Sequence, residues 1–115
     1  YIAPETPIEE IIAEIWSEVL NITEIGRNDN FFDLGGHSLL ASRIINRVYS
    51  IFDVKVPLKS FFKCPNVRDL ANNIISLANQ ESIDEIILLW EKTKSRKSFK
   101  DEKMKDSKGY KITTG

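Results

Sequence analysis

Histidine and cysteine are almost missing from this chain, whose 115 residues hold one of each, His37 and Cys64. A Cys/His pair would have to be those two, and a Ser/His/Asp triad would have to use His37. His37 adjoins Ser38, but neighbours at a helix start point their side chains in different directions, whereas a general base must reach its nucleophile. A self-contained hydrolase is therefore a poor reading, and one His and one Cys far apart in sequence make no zinc-ligand set. The single cysteine rules out an internal disulfide framework and suits a reducing compartment. Also lacking is any apolar run near the roughly 20 residues that cross a bilayer. The opening YIAPETPIEE has neither the basic nor the apolar region of a signal peptide. The expected location is the cytoplasm, with no membrane and no metal.

What is present fits one small all-α domain with an appended tail. Hydrophobic residues make up 42% and charged residues 29%, too apolar for a wholly disordered chain. The net charge of −1 hides a division. Residues 1–80 carry 7 basic and 10 acidic groups, whereas residues 81–115 carry 9 basic and 7 acidic. All nine of those basic groups follow Glu91. Such a mixed, aromatic-poor stretch reads as a solvated segment rather than a nucleic-acid surface.

Thr6-Pro7-Ile8-Glu9 announces a helix, with Thr6 as cap, Pro7 in the first turn and Glu9 placed to close a capping box. Ile8, Ile11, Ile12, Ile15, Trp16, Val19 and Leu20 recur at helical spacing, and the glutamates, Glu9 included, fall on the wet face. Residues 21–37 form a long connection rich in turn residues, anchored by Phe31, Phe32 and Leu34. A second helix is expected over 38–52 with Leu40, Ile44, Val48, Ile51 and Phe52 inward. A short helical turn follows over 58–63, and Cys64 reads as a small packing residue. Asn66 should cap a helix whose stripe is Val67, Leu70, Ala71, Ile74, Ile75 and Ala78. A bundle of three main helices and a short one thus occupies residues 6–80. Ser82 to Glu85 repeats the capping pattern and predicts a fifth helix over 82–94, with a flexible stretch beyond it.

The loop-to-helix junction is the place where chemistry fits. Gly35 and Gly36 let the backbone turn sharply and deliver Ser38 to a helix N-terminus. Unpaired amides and the helix dipole there favour an anion beside its hydroxyl. Taken alone, Ser38 could equally cap the helix after a Gly-Gly turn.

The full string DNFFDLGGHSLLA closely resembles the phosphopantetheine attachment motif of peptidyl carrier (thiolation) domains of non-ribosomal peptide synthetases. The resemblance covers roughly residues 4–80. Acyl carrier proteins of polyketide and fatty-acid pathways share the bundle but typically place Asp before the serine, where this chain has His37. The resemblance implies that Ser38 carries a covalent 4'-phosphopantetheine arm derived from coenzyme A, with Gly35, Gly36 and His37 as its motif context. The arm would hold aminoacyl or peptidyl units as thioesters, and the chain itself would catalyse nothing. It implies as partners a phosphopantetheinyl transferase and adenylation and condensation domains, with thioesterase or epimerisation domains as further candidates. Leu39, Phe61 and Phe62 are the expected contact residues, only one of the two phenylalanines being exposed. Residues 1–5 look like the linker that follows an adenylation domain. An isolated monomer is expected. The alternatives are an acyl or aryl carrier of a polyketide or hybrid pathway, an unmodified helical adaptor and the small hydrolase.

Residues 81–115 lie outside the resemblance. Their end, KGYKITTG, favours an extended strand. Tyr110 and Ile112 would present one face to a sheet edge of a partner's N-terminal docking domain, which makes the tail a candidate docking segment.

Overall fold

The computed structural model describes the backbone of residues 1–106 and the side chains of residues 1–93. Five helices follow in order, α1 (Pro7–Leu20), α2 (Ser38–Phe52), α3 (Leu58–Lys63), α4 (Val67–Leu77) and α5 (Gln80–Asp106), and no strand is present among the described residues. Local signals set most of the ends. Thr6 Oγ1 accepts from the Glu9 amide at 3.2 Å and starts α1, and Asn21, at φ 60°, ends it. Asp53 ends α2 in the same left-handed conformation, at φ 57°. Asn66 caps α4, its Oδ1 accepting from the Asp69 amide at 2.8 Å, while its Nδ2 donates to the Asp69 carboxylate at 2.9 Å and steadies the cap.

α1 packs on α2, α4 and α5. Its Trp16, fully buried, meets Phe31 edge-on with ring centres 5.5 Å apart, and Phe31 lies 4.9 Å from Phe61. Around this aromatic centre Ile8, Ile12, Ile15, Ile44, Val48, Phe52, Leu70 and Ile74 complete the core. α5 joins the bundle: Ile83 is buried, Ile86, Ile87 and Trp90 pack against the core, and Trp90 Nε1 donates to Glu10 Oε1 at 3.0 Å.

Several expectations need correction. Glu9 is not on the wet face but 3% exposed, and Glu9 Oε1 accepts from the Glu5 amide rather than closing the box on Thr6. Ile51 and Ile75 face outward and Leu40 is only half-buried, because α2 and α4 are covered along narrower stripes than their apolar residues span. Cys64 is exposed in the turn between α3 and α4. α5 begins before Ser82, with Asn79 Oδ1 accepting from the Glu81 amide at 2.8 Å. It also continues past Lys94 to Asp106, residues 92–106 containing no glycine or proline to stop it.

Candidate functional site

The connection between α1 and α2 is built in two halves. In the first, Arg27 Nε donates to Glu9 Oε1 at 2.8 Å and a terminal guanidinium nitrogen to Glu9 Oε2 at 2.6 Å, a two-pronged ion pair largely withdrawn from solvent. The Arg27 hydrogen bond holds the Glu9 carboxyl below the usual glutamate range, against burial, which works the other way. Glu9 in turn raises Arg27. The Arg27 amide donates to the Ile2 carbonyl at 2.8 Å and its carbonyl accepts from the Arg68 amide at 3.0 Å, so one residue ties the N-terminal segment, the loop and α4 together.

The second half hangs on Phe31. Its amide donates to the Pro65 carbonyl at 2.8 Å, and its ring, buried in the aromatic centre, lies under the glycine turn. Asp29, at the end of the first half, accepts from the Gly26 amide at 2.8 Å. Asn30 Oδ1 accepts from the Phe32 and Asp33 amides at 2.8 and 3.1 Å. The two glycines are needed for different reasons. Gly35 sits at φ 97°, which a side chain resists. Gly36 lies so close to the Phe31 ring that a Cβ would come within 2.4 Å of it.

His37 then enters α2 in extended backbone (φ −150°) without a side-chain cap, and Ser38 is the first helical residue, exposed. The serine hydroxyl is thus not spent on capping. No acidic residue stands in the first turn of α2, so the helix dipole and its free first-turn amides meet no competing carboxylate. An exposed hydroxyl at a helix start with no acidic residue in its first turn suits a phosphodiester, and the residues fit a phosphopantetheine group at this point.

Gly35, Gly36, His37 and Ser38 therefore lie together, and Leu39 beside them is 67% exposed. Phe62 is half-buried and packs against Phe32 with ring centres 5.4 Å apart and planes tilted by 48°. Phe61 is no partner contact: at 1% exposure it fills the space beside Trp16 and Phe31. Tyr110 and Ile112 lie outside the described residues. The residues sequence reasoning missed as surface are Phe32, 43% exposed, and Leu58. The doublet Phe31-Phe32 carried that signal, since adjacent side chains diverge and one core rarely takes both. The Glu9 ion pair had its signal too: Glu9, Ile12, Ala13 and Trp16 share one face at helical spacing.

The family described as phosphopantetheine attachment site matches residues 10–74. Gramicidin S synthase 2 of Brevibacillus brevis is 50% identical over 74 residues, 64% of this chain and 2% of that protein, so the chain spans a small fraction of such a relative. Among solved structures, the peptidyl carrier protein bound to the phosphopantetheine transferase Sfp with coenzyme A is similar at 39% identity and TM-score 0.65, over 66% of this chain and 99% of that one. A non-covalent extended docking domain complex of the Pax synthetase, PaxA T1-CDD with PaxB NDD, is similar at 41% identity and TM-score 0.65, over 75% of this chain and 86% of that one.

Proposed function

Since the chain belongs to the phosphopantetheine attachment-site family and is a peptidyl carrier domain of the non-ribosomal peptide synthetase type, we propose that Ser38 is the residue esterified by 4'-phosphopantetheine. The observation that carries this is the exposed, uncapped hydroxyl at the first residue of α2, presented by a glycine turn that Phe31 pins to the core. The first-turn amides hold the phosphate, and Gly35 and Gly36 allow the turn that presents Ser38. When attached, the group supplies a terminal thiol on which aminoacyl or peptidyl units are held as thioesters. The chain's own part is to tether, raising the concentration of the bound unit at each neighbouring site, and not to catalyse.

The exposed apolar side chains Phe32, Leu39 and Leu58, with the half-buried Phe62 beside Phe32, form the working surface for a phosphopantetheinyl transferase and for adenylation, condensation and thioesterase or epimerisation domains in turn. Residues 1–5 are read as the linker from an adenylation domain, residues 6–80 as the carrier unit and residues 81–115 as a docking segment for the N-terminal docking domain of another synthetase protein. What supports the last reading is the likeness to the carrier and docking-domain pair of the Pax synthetase, together with the basic excess after Glu91.

Incubation with coenzyme A and a phosphopantetheinyl transferase, followed by mass spectrometry, tests the site. Ser38→Ala should show no mass gain while keeping its helical circular dichroism, and a gain on that variant, or on Ser17 or Ser50 of the parent, sinks the assignment. For the tail, calorimetry with an N-terminal docking domain should show binding that is lost on deletion of residues 108–115. Unchanged binding after the deletion rejects the strand model.

A further inference from the structure

Charge is segregated along the carrier unit. Residues 1–33 carry one basic and eight acidic groups, whereas residues 34–68 carry six basic and one acidic. The first span supplies α1 and the second supplies α2 and α3, so the sign of the surface changes from one helix to the next. Of the six basic groups, Arg47 is paired with Glu18 of α1 and Arg68 with Asp69. Arg43, Lys55, Lys59 and Lys63 are exposed and pair with no carboxylate among the described residues.

These four cations surround the apolar side chains beside Ser38. Leu39 and Arg43 stand one turn apart on α2, at i and i+4. Ser42, Ile45 and Asn46 face residues 55–58 across a cleft, which sets Lys55 and Leu58 opposite α2. On α3, Lys59 and Lys63 are likewise four residues apart, Lys59 following Leu58 and Lys63 following Phe62, whose ring packs against Phe32. Asp33, the neighbour of Phe32, and Asp53, which ends α2, are the carboxylates to set against them. An apolar centre with a charged rim is the anatomy of a protein interface, and here the rim is mostly of one sign. We propose that the enzymes acting at Ser38 meet this face with an acidic rim around an apolar centre, so that charge orients them on it. The inference rests on Ser38 as the attachment point.

A nucleic acid or an anionic membrane is the poorer occupant. A polyanion large enough to span the molecule also meets Glu10, Glu14 and Glu18 of α1, and residues 1–80 as a whole are acidic. A partner that covers the α2–α3 face alone meets the cations, because charge beyond about 8 Å is screened at physiological salt. The same segregation turns an acidic partner away from α1 and toward Ser38.

The rate at which a phosphopantetheinyl transferase modifies the full chain at saturating coenzyme A, followed by mass spectrometry, tests this. In the parent, kcat/KM should fall about tenfold as salt rises from about 20 to about 500 mM, through KM rather than kcat. Lys59→Gln with Lys63→Gln should lower kcat/KM about fivefold at low salt and leave it nearly independent of salt. Lys59→Arg with Lys63→Arg keeps the charge and should match the parent. Arg47→Gln removes one positive charge at a residue paired with Glu18 and turned about 180° from Ser38, and should leave the rate nearly unchanged. Equal losses in Arg47→Gln and in a single Lys59→Gln would assign the effect to net charge and overturn the proposal, as would a parent rate that is flat or rises with salt. Binding of the full chain to vesicles of anionic lipid at physiological salt, lost in Lys59→Gln with Lys63→Gln, gives the face to a membrane and also overturns it. Absence of any mass gain at Ser38 in the parent overturns the attachment reading and the proposal with it.

Discussion

The two halves of the α1–α2 connection are held by opposite kinds of force. Residues 21–29 are fastened by charge: the Glu9 and Arg27 side chains meet out of solvent, and the Arg27 backbone bridges Ile2 and Arg68. Residues 30–37 are fastened by apolar packing, with Phe31 sunk into the aromatic centre beneath Gly36 and no ion pair among the described side chains. The apolar half runs directly into Ser38 and delivers it. A corner that must accept a phosphate gains from having no acidic residue in the first turn of its helix.

Substitutions can break this contrast. Phe31→Ala should cost the most, about 3–5 kcal/mol in urea melts, because a fully buried ring leaves a cavity between Trp16 and Phe61. A loss no larger than that of Phe32→Ala would reject the inner and outer assignment of this doublet. Next comes Arg27→Ala, which leaves the Glu9 carboxylate buried without its ion-pair partner and should cost less than Phe31→Ala.

The two halves should also separate by pH. Glu9 titrates lower in the folded chain, so its pair contributes fully above about pH 4.3, the ordinary glutamate value, and is lost as pH falls through the folded value. Glu9→Gln should flatten that acid limb of the stability curve, while Phe31→Ala should lower the curve without changing its slope. An unchanged slope in Glu9→Gln would remove the charge from the account of the first half.

Gly36→Ala follows at about 1–3 kcal/mol, since its methyl would press on the Phe31 ring. Phe32→Ala comes last, below about 1 kcal/mol for a ring already 43% exposed, with its effect appearing instead as slower modification by the transferase. Equal stability losses in Gly36→Ala and Phe32→Ala would mean that the turn has room the geometry does not show.

Much of the fold was legible without coordinates, and the legible part is local. Thr6 and Asn66 announced their helices through side-chain oxygens that reach amides three residues on, and Pro57 announced the break before α3. The bounds of α2 and α3 followed from periodicity and punctuation. The attachment corner was legible for the same reason, since Gly35, Gly36, His37 and Ser38 are consecutive. What stayed hidden was any residue whose neighbours come from elsewhere in the chain. Phe61 was misplaced as a partner contact because nothing near it in sequence reveals Trp16 and Phe31. Ile51 and Ile75 were misplaced because an apolar residue at the margin of a stripe is covered only if another helix reaches it.

By itself, then, the sequence determined where α1 to α4 start and stop, that a glycine turn presents Ser38 at the head of α2, and the family to which that corner belongs. These depend on contacts within a few residues. Tertiary structure alone decided that Glu9 is buried against Arg27, that Phe31 rather than Phe32 pins the turn, and that Ser42, Ile45 and Asn46 face residues 55–58 across a cleft. Each of those requires segments distant in the chain to meet, and their meeting depends on how the packed helices close around the core.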